Sequence, residues 1–426
     1  MNLSRRQFMA GMTAAVAPMI LPRTVFGAND RINVGWIGCG RRGGQLQGLP
    51  EDARAAAFSD VNISRARSWA KGKFGRRYDV NPAKDAYQDY REMLERDDLD
   101  AVIVATPDHW HALNAIDAMN KGKHVYCEKP MTLTIREGRL MVEAARKNKV
   151  ACQCGSQQRT MEANRIGCAL VRAGRIGKVH TVHAACFPTS WECTLPEEDQ
   201  APKEIDWDMW CGPTEPRGYH KKLYVPRGGK LGHEWGWISF ITYSGGEMTG
   251  WGAHGFDQIQ WALNKDHTGP TKITPLEESP RFDGIHLGPN NYINMEYADG
   301  TVMKIDGNAG GGGGWFEGED GEIKIDRGSY KCKPDSLDDV LPELPESSHT
   351  GDTNEHIANW LHCARTGEKP NADVEIGHRS STVCHLGNIA RWLKRELVWD
   401  PETETFPGDN EANSYLDRKR RAPYTL

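Results

Sequence analysis

At 426 residues the chain is long enough for two domains of ordinary size. Its 53 Lys and Arg against 58 Asp and Glu leave a net charge of −5, so no basic field points to nucleic acid or to an anionic membrane surface. Eleven cysteines without a CxxC pair or finger spacing argue against a metal finger or a disulfide framework, and most are expected to be packing residues.

Residues 1–28 read as a leader outside the fold. Ser4-Arg5-Arg6-Gln7-Phe8-Met9 precedes an apolar run from Met9 to Leu21, and the small residues Gly27 and Ala28 follow. A charged start, an apolar middle and a small-residue end mark a cleavable signal. The run is too short, and too interrupted at Pro18, for a stable membrane anchor. The paired arginines resemble a twin-arginine signal, which implies passage of the folded protein through the twin-arginine export machinery and a periplasmic location.

Residues 29–155 alternate apolar runs of strand length with helical stretches. Ile32–Ile37 meets Gly38-Cys39-Gly40-Arg41-Arg42-Gly43, with a helix expected from Gly44. In that context Gly38 allows a tight turn, Gly40 lets the backbone approach a pyrophosphate, and Gly43 lets helix and strand pack closely. A second run ends in Asp60, twenty positions after Gly40, where a carboxylate hydrogen-bonds a ribose hydroxyl and repels a 2′-phosphate. NAD is therefore expected, with NADP left open by Arg65 and Arg67. Ala101–Ala105 runs into Thr106-Pro107-Asp108-His109-Trp110-His111. No third ligand accompanies His109 and His111 at a suggestive spacing, so no metal is expected, and the segment reads as a loop over the cofactor. His124–Cys127 then ends in Glu128-Lys129-Pro130. Ligands of open α/β sheets sit just beyond the carboxyl ends of the strands, which is what separates Lys129 from an ordinary surface lysine. Val150–Gly155 repeats the pattern and leads into Ser156-Gln157-Gln158-Arg159.

Together, strand-GCGRRG, Asp60, ATPDHWH and GKHVYCEKP resemble the Gfo/Idh/MocA oxidoreductase family, with the EKP tripeptide as the most specific mark. The similarity spans nearly all of the chain after the leader. It implies a Rossmann domain at 29–155 and a second α/β domain at 156–400, and it implies that Lys129 holds both nicotinamide and a substrate hydroxyl, with room for a cis bond to Pro130. The expected cofactor-binding set is Gly38, Gly40, Arg41, Arg42, Gly43, Asp60, Thr106, Pro107, His111, Glu128, Lys129 and Gln157.

Beyond Gln157 the pattern changes to alternating strands at Val179–Ala184, Tyr292–Tyr297, Val302–Ile305 and Glu322–Ile325, as in an open, mainly antiparallel sheet. Gly310–Gly314 reads as a flexible loop. Helices are expected at Glu355–Thr366 and Gly377–Lys394, and residues 401–426, with the basic run Arg418–Arg421, read as a solvated tail. The chemistry of this half gathers in GGEMTGWGAHGFD. A helix from His254 would bring Asp257 one turn away, and a histidine oriented by a carboxylate suits a general base. By the family resemblance His254 falls on the catalytic histidine, while the family's aspartate four residues earlier is Gly250 here. Catalytic candidates are therefore Lys129, His254 and Asp257. Substrate candidates are Lys129, Arg159, Tyr219, His220, Trp251 and His254, and the many tryptophans, Trp191 and Trp251 among them, suit the C–H face of a sugar.

The expected function is oxidation of a sugar, sugar derivative or cyclitol with internally recycled NAD. An NAD-dependent glycosidase or lyase acting through transient oxidation stands as the alternative. A sugar-sensing protein of the same fold would need neither Lys129 nor His254. A homo-oligomer is expected.

Overall fold

The computed structural model describes residues 31–186, 199–226, 235–276, 292–306, 312–344 and 349–426. The leader and Trp191 therefore lie outside the described residues, as does the start of the five-glycine run. The apolar runs of the first half become parallel strands: β1 (Ile32–Ile37), β2 (Ala53–Ser59), β3 (Ala86–Tyr87), β4 (Ala101–Val104), β5 (His124–Cys127) and β6 (Cys152–Cys154). Their order, β3-β2-β1-β4-β5-β6, reverses direction between β1 and β4, where a dinucleotide-binding crevice opens.

Register sets the site. Ile37 pairs with Val104, Val104 with Cys127, and Cys127 with Cys154. The next residues, Gly38, Ala105, Glu128 and Gly155, consequently share one level at the carboxyl edge. These strands are apolar on both faces because both are covered. One face packs Val102, Val104, Val125 and Cys152 against Leu113, Met131 and Met141. The other packs Val34, Trp36, Ile103 and Tyr126 against Ile357, Trp360 and Leu361. The helix Thr353–Thr366, from the far end of the chain, thus returns to cover the nucleotide sheet.

The second sheet has eight strands. They are β7 (Val179–Ala184), β8 (Lys272–Pro275), β9 (Ile293–Glu296), β10 (Val302–Ile305), β11 (Gly314–Gly318), β12 (Gly321–Asp326), β13 (Ser329–Lys333) and β14 (Leu397–Val398). In the order β13-β12-β11-β7-β10-β9-β8-β14, only β7 and β10 run parallel. The sheet is mixed and mainly antiparallel, as its alternation implied. Ile293, Met295, Phe316 and Ile323 point inward onto Phe256, Ile259, Val383 and Leu386 of the covering helices.

Two expectations are corrected. The helix after the glycine-rich turn occupies Arg41–Gly44 and stops there, because Gly44, Gly48 and Pro50 give it nothing to propagate on. Residues 401–426 are not a solvated tail: Phe406, Ala412 and Tyr424 are buried, and Arg418 and Arg420 both reach the buried carboxylate of Glu137, at 2.9 and 3.1 Å. Among the described residues, no helix is long and apolar enough to cross a membrane.

Candidate active site

The glycine-rich turn is built as its spacing requires. Gly38 has a φ of +99°, and a Cβ there would stand 2.7 Å from the Ala105 carbonyl oxygen. At Gly43 a Cβ would strike the Gly38 carbonyl at 2.4 Å, whereas at Gly40 it would meet nothing within 4 Å. The turn therefore folds tightly on itself and leaves open space in front of Gly40, which fits a pyrophosphate approaching the backbone. Asp60 ties this turn to the end of β2: its carboxylate accepts the backbone N–H of Cys39 and of Asn62, each at 2.8 Å. Burial holds the Asp60 carboxyl above its ordinary range, against the pull of those two amides and Arg65.

Glu128 is the hub of the EKP segment. It accepts from Arg42 at 2.7 Å, from Gln157 at 3.0 Å and from the Tyr126 hydroxyl at 3.4 Å. Burial would raise it, yet Arg42 beside it keeps its carboxyl below the usual carboxylate range. A Cβ at Gly155 would stand 2.7 Å from that carboxylate, so the glycine makes its room. Arg42, Glu128 and Gln157 are thus brought together, holding the phosphate turn against the strand ends. Arg41 lies exposed at the start of the short helix. Pro107 precedes the helix Asp108–Asn120 as its cap, and Thr106 donates its hydroxyl to Asn114. Both ring nitrogens of His111 face carbonyl oxygens, those of Pro130 at 2.7 Å and Thr106 at 3.0 Å. The Lys129–Pro130 bond is cis.

Lys129 reaches out of the nucleotide half. Its Nζ donates to the carbonyl of Gly250 at 2.7 Å, just ahead of the helix Gly252–Ala262 that carries His254. The segment after β4, expected as a loop, is helical from Asp108, and its first residue is stitched to the same region because the Ser244 hydroxyl donates to Asp108 at 2.7 Å. Burial lowers the Lys129 ammonium from its ordinary value, opposed by Glu128 and Asp108. Burial, then the Lys129 charge, holds the His254 imidazole well below the usual histidine value. Its Nδ1 is closed off by protein and has no hydrogen-bond partner among the described residues, which leaves Nε2 as the nitrogen able to face a ligand. Trp251 lies edge-on to the ring, centroids 5.7 Å apart.

Four candidates stand elsewhere than expected. Asp257 does not orient His254: both carboxylate oxygens take the guanidinium Nε of Arg159, at 2.9 and 3.0 Å, and one also takes the Ser380 hydroxyl at 2.7 Å. A guanidinium N–H shared between both oxygens, with a hydroxyl on one of them, satisfies a buried carboxylate better than one imidazole nitrogen. Arg159, for the same reason, is committed to Asp257 and Asp266 and not free for substrate. Tyr219 and His220 make their ring contacts with Trp207, Tyr224 and Trp235.

Glu247 escapes a reading of spacing alone. It is buried, one turn ahead of Trp251, and a Cβ on Gly250 would come within 3.4 Å of its carboxylate oxygen. A carboxylate therefore stands beside position 250 although the residue there is glycine. The signal was present as a charged residue inside an apolar, glycine-rich stretch, which is buried only for a reason.

Residues 32–156 match the family model described as an oxidoreductase family NAD-binding Rossmann fold, and residues 180–426 match that of an oxidoreductase family C-terminal alpha/beta domain. Glycosyl hydrolase family 109 protein 1 of Shewanella sp. (strain MR-4) is 30% identical over 180 residues, which are 35% of this chain and 39% of that protein. The chain thus spans about two fifths of the length of that curated relative. The aldose-aldose oxidoreductase from Caulobacter crescentus, solved with glycerol, superposes with a TM-score of 0.57 at 18% identity, over 86% of this chain and 99% of that one. The WlbA dehydrogenase from Bordetella pertussis, solved with NADH and UDP-GlcNAcA, gives a TM-score of 0.60 at 16% identity, over 87% and 99%. At such identities the superpositions speak for the fold.

Proposed function

The chain belongs to the Gfo/Idh/MocA oxidoreductase family, and we propose that it oxidises a secondary alcohol carbon of a sugar, sugar derivative or cyclitol. The observation that carries this reading is the reach of Lys129 from the nucleotide sheet to Gly250, at 2.7 Å, at the head of the His254 helix. When bound, NAD accepts the hydride leaving the carbinol carbon. The residues of this chain do the rest. Lys129 turns its Nζ from the Gly250 carbonyl to the substrate oxygen and fixes it. His254, kept neutral by burial and by the Lys129 charge, takes the hydroxyl proton at Nε2. Glu247 offers a carboxylate to a second hydroxyl, and Trp251 an apolar face to the ring. The names of the structural neighbours, an aldose-aldose oxidoreductase and a dehydrogenase holding UDP-GlcNAcA, support a carbohydrate substrate.

We read residues 1–28 as a twin-arginine signal, which places the folded protein in the periplasm with its nucleotide aboard. No exchangeable NAD pool exists there, so the reduced cofactor must be reoxidised on the enzyme. Its oxidant is a second carbohydrate or the product itself. The glycosidase route is supported by the family 109 relative.

The test is to incubate NAD-loaded protein with a panel of sugars, cyclitols and aryl glycosides while following absorbance at 340 nm. A single-turnover band that a second carbonyl sugar bleaches, without NADH in the filtrate, is the expected result. Aglycone release with solvent deuterium in the sugar would select the glycosidase route. Sustained NADH accumulation that depends on added NAD, from a protein purified empty, would overturn internal recycling.

A further inference from the structure

The adenosine end of the nucleotide crevice is bordered by a segment that the Rossmann half does not supply. Backbone pairing fastens residues 204–206 to the loop after Asp60: Ile63 N–H donates to Glu204 O at 3.1 Å, and Asp206 N–H donates to Val61 O at 2.9 Å. Between them Asn62 and Ile205 form an antiparallel bridge. The Gln88 side chain donates to the carbonyls of both Val61 and Glu204, at 2.9 and 3.2 Å. Asp206 then caps the short helix Trp207–Cys211, on which Trp207 and Trp210 stack 4.3 Å apart. Tyr219 and Tyr224 complete an aromatic block around Trp207.

From this block Tyr224 faces back across the crevice. The Arg65 guanidinium, on the helix that follows Asp60, lies 4.6 Å from the centre of the Tyr224 ring. The Tyr224 hydroxyl is buried, with the Asn62 side chain beside it. Burial, then the Asp60 carboxylate, pushes the phenol up to about 12. Asp60 is therefore within electrostatic reach of both Arg65 and Tyr224. A carboxylate at the end of the second Rossmann strand takes the adenosine ribose, so whatever packs beside it stands over that ribose.

We propose that Arg65 and Tyr224 form a clasp across the adenosine end of the NAD site, a guanidinium on a phenol ring that must part before the nucleotide leaves. A cation over an aromatic face holds best where water is excluded, and a bound adenosine would exclude it here. The inference rests on NAD binding by the first half, and it is tested without any sugar, so its failure is separable from that of the proposed reaction.

Full-length protein is loaded with NAD, desalted rapidly, and the nucleotide released into filtrates is followed over time. Arg65→Gln and Tyr224→Ala are each expected to speed release at least about tenfold, and the double variant no more than the faster single, since both open one clasp. Tyr224→Phe keeps the ring and is expected to release within about twofold of the unaltered protein. Melting of the nucleotide-free proteins checks folding, and Arg65→Gln, which opens no core cavity, serves alone if Tyr224→Ala does not fold. Unchanged release from Arg65→Gln, or release from Tyr224→Phe as fast as from Tyr224→Ala, would overturn the clasp.

Discussion

His254 and Asp257 lie one turn apart on one helix, yet they serve different ends, and substitutions will separate them. His254→Ala is expected to cut turnover by at least about a hundredfold, the usual worth of a positioned base, with little change in melting. Lys129→Ala should behave alike, and the double variant should cost little more than the worse single because the two act as a unit. Asp257→Ala instead takes from the buried Arg159 guanidinium one of the two carboxylates, Asp257 and Asp266, that together hold it above its ordinary value against burial. Breaking a buried pair of this kind costs about 3–5 kcal/mol. Thermal melting and steady-state kinetics on the three variants check this, and a stable but inactive Asp257→Ala would return that carboxylate to the catalytic machinery. The glycine turn and the EKP segment were legible in the sequence because their geometry is local, a matter of which backbone can turn and which strand ends where. The partner of Asp257 was not, since Arg159 sits about a hundred positions away and no spacing along the helix reports it.

At the scale of elements, the helix Ile135–Asn148 shows how a cap becomes a joint. Thr134 accepts the N–H of Glu137 at 3.3 Å, and Glu137 accepts the N–H of Leu133 at 3.0 Å, a reciprocal cap at the helix start. The other oxygen of Glu137 takes Arg418 and Arg420, and Arg418 also donates to the His109 carbonyl at 2.8 Å. The final segment is thereby pinned to the first turns of the helices Asp108–Asn120 and Ile135–Asn148, on either side of Lys129 in the sequence. Its polar composition had the look of a tail. Composition reports solubility, however, and cannot show that one carboxylate, 1% exposed, waits for two arginines. Glu137→Ala is expected to cost about 3 kcal/mol, since it removes both the cap and the anion of a buried pair. Limited proteolysis read by mass should then find early cleavage after residue 416. Cleavage elsewhere with the C-terminus intact would show that the apolar anchors Phe406 and Tyr424 suffice without the ion pairs.

Over the whole molecule, neutral histidines join parts of the chain that are distant in sequence. His109 meets the Trp210 carbonyl at 2.9 Å, His356 lies between the Thr160 hydroxyl at 2.6 Å and the Cys154 carbonyl at 3.0 Å, and His385 meets the Thr132 carbonyl at 3.1 Å. Burial lowers His109 to about 3 and both His356 and His385 to about 4, against about 6.5 for an unfolded chain. Below that value the unfolded state binds a proton that the folded state refuses, so stability is complete above about pH 6.5 and falls as the pH drops. Asp60 and Asp108, raised by burial, act in the opposite sense, which makes the comparison with a single variant the decisive one. His385→Gln keeps a side-chain N–H for Thr132 and removes the titrating ring. Between pH 6.5 and 5.5 the unaltered protein is expected to lose about 1 kcal/mol that the variant keeps, read as denaturant midpoints at each pH. Parallel pH curves for the two proteins would mean that His385 is protonated in the folded state, and that the Thr132 contact survives a charged ring.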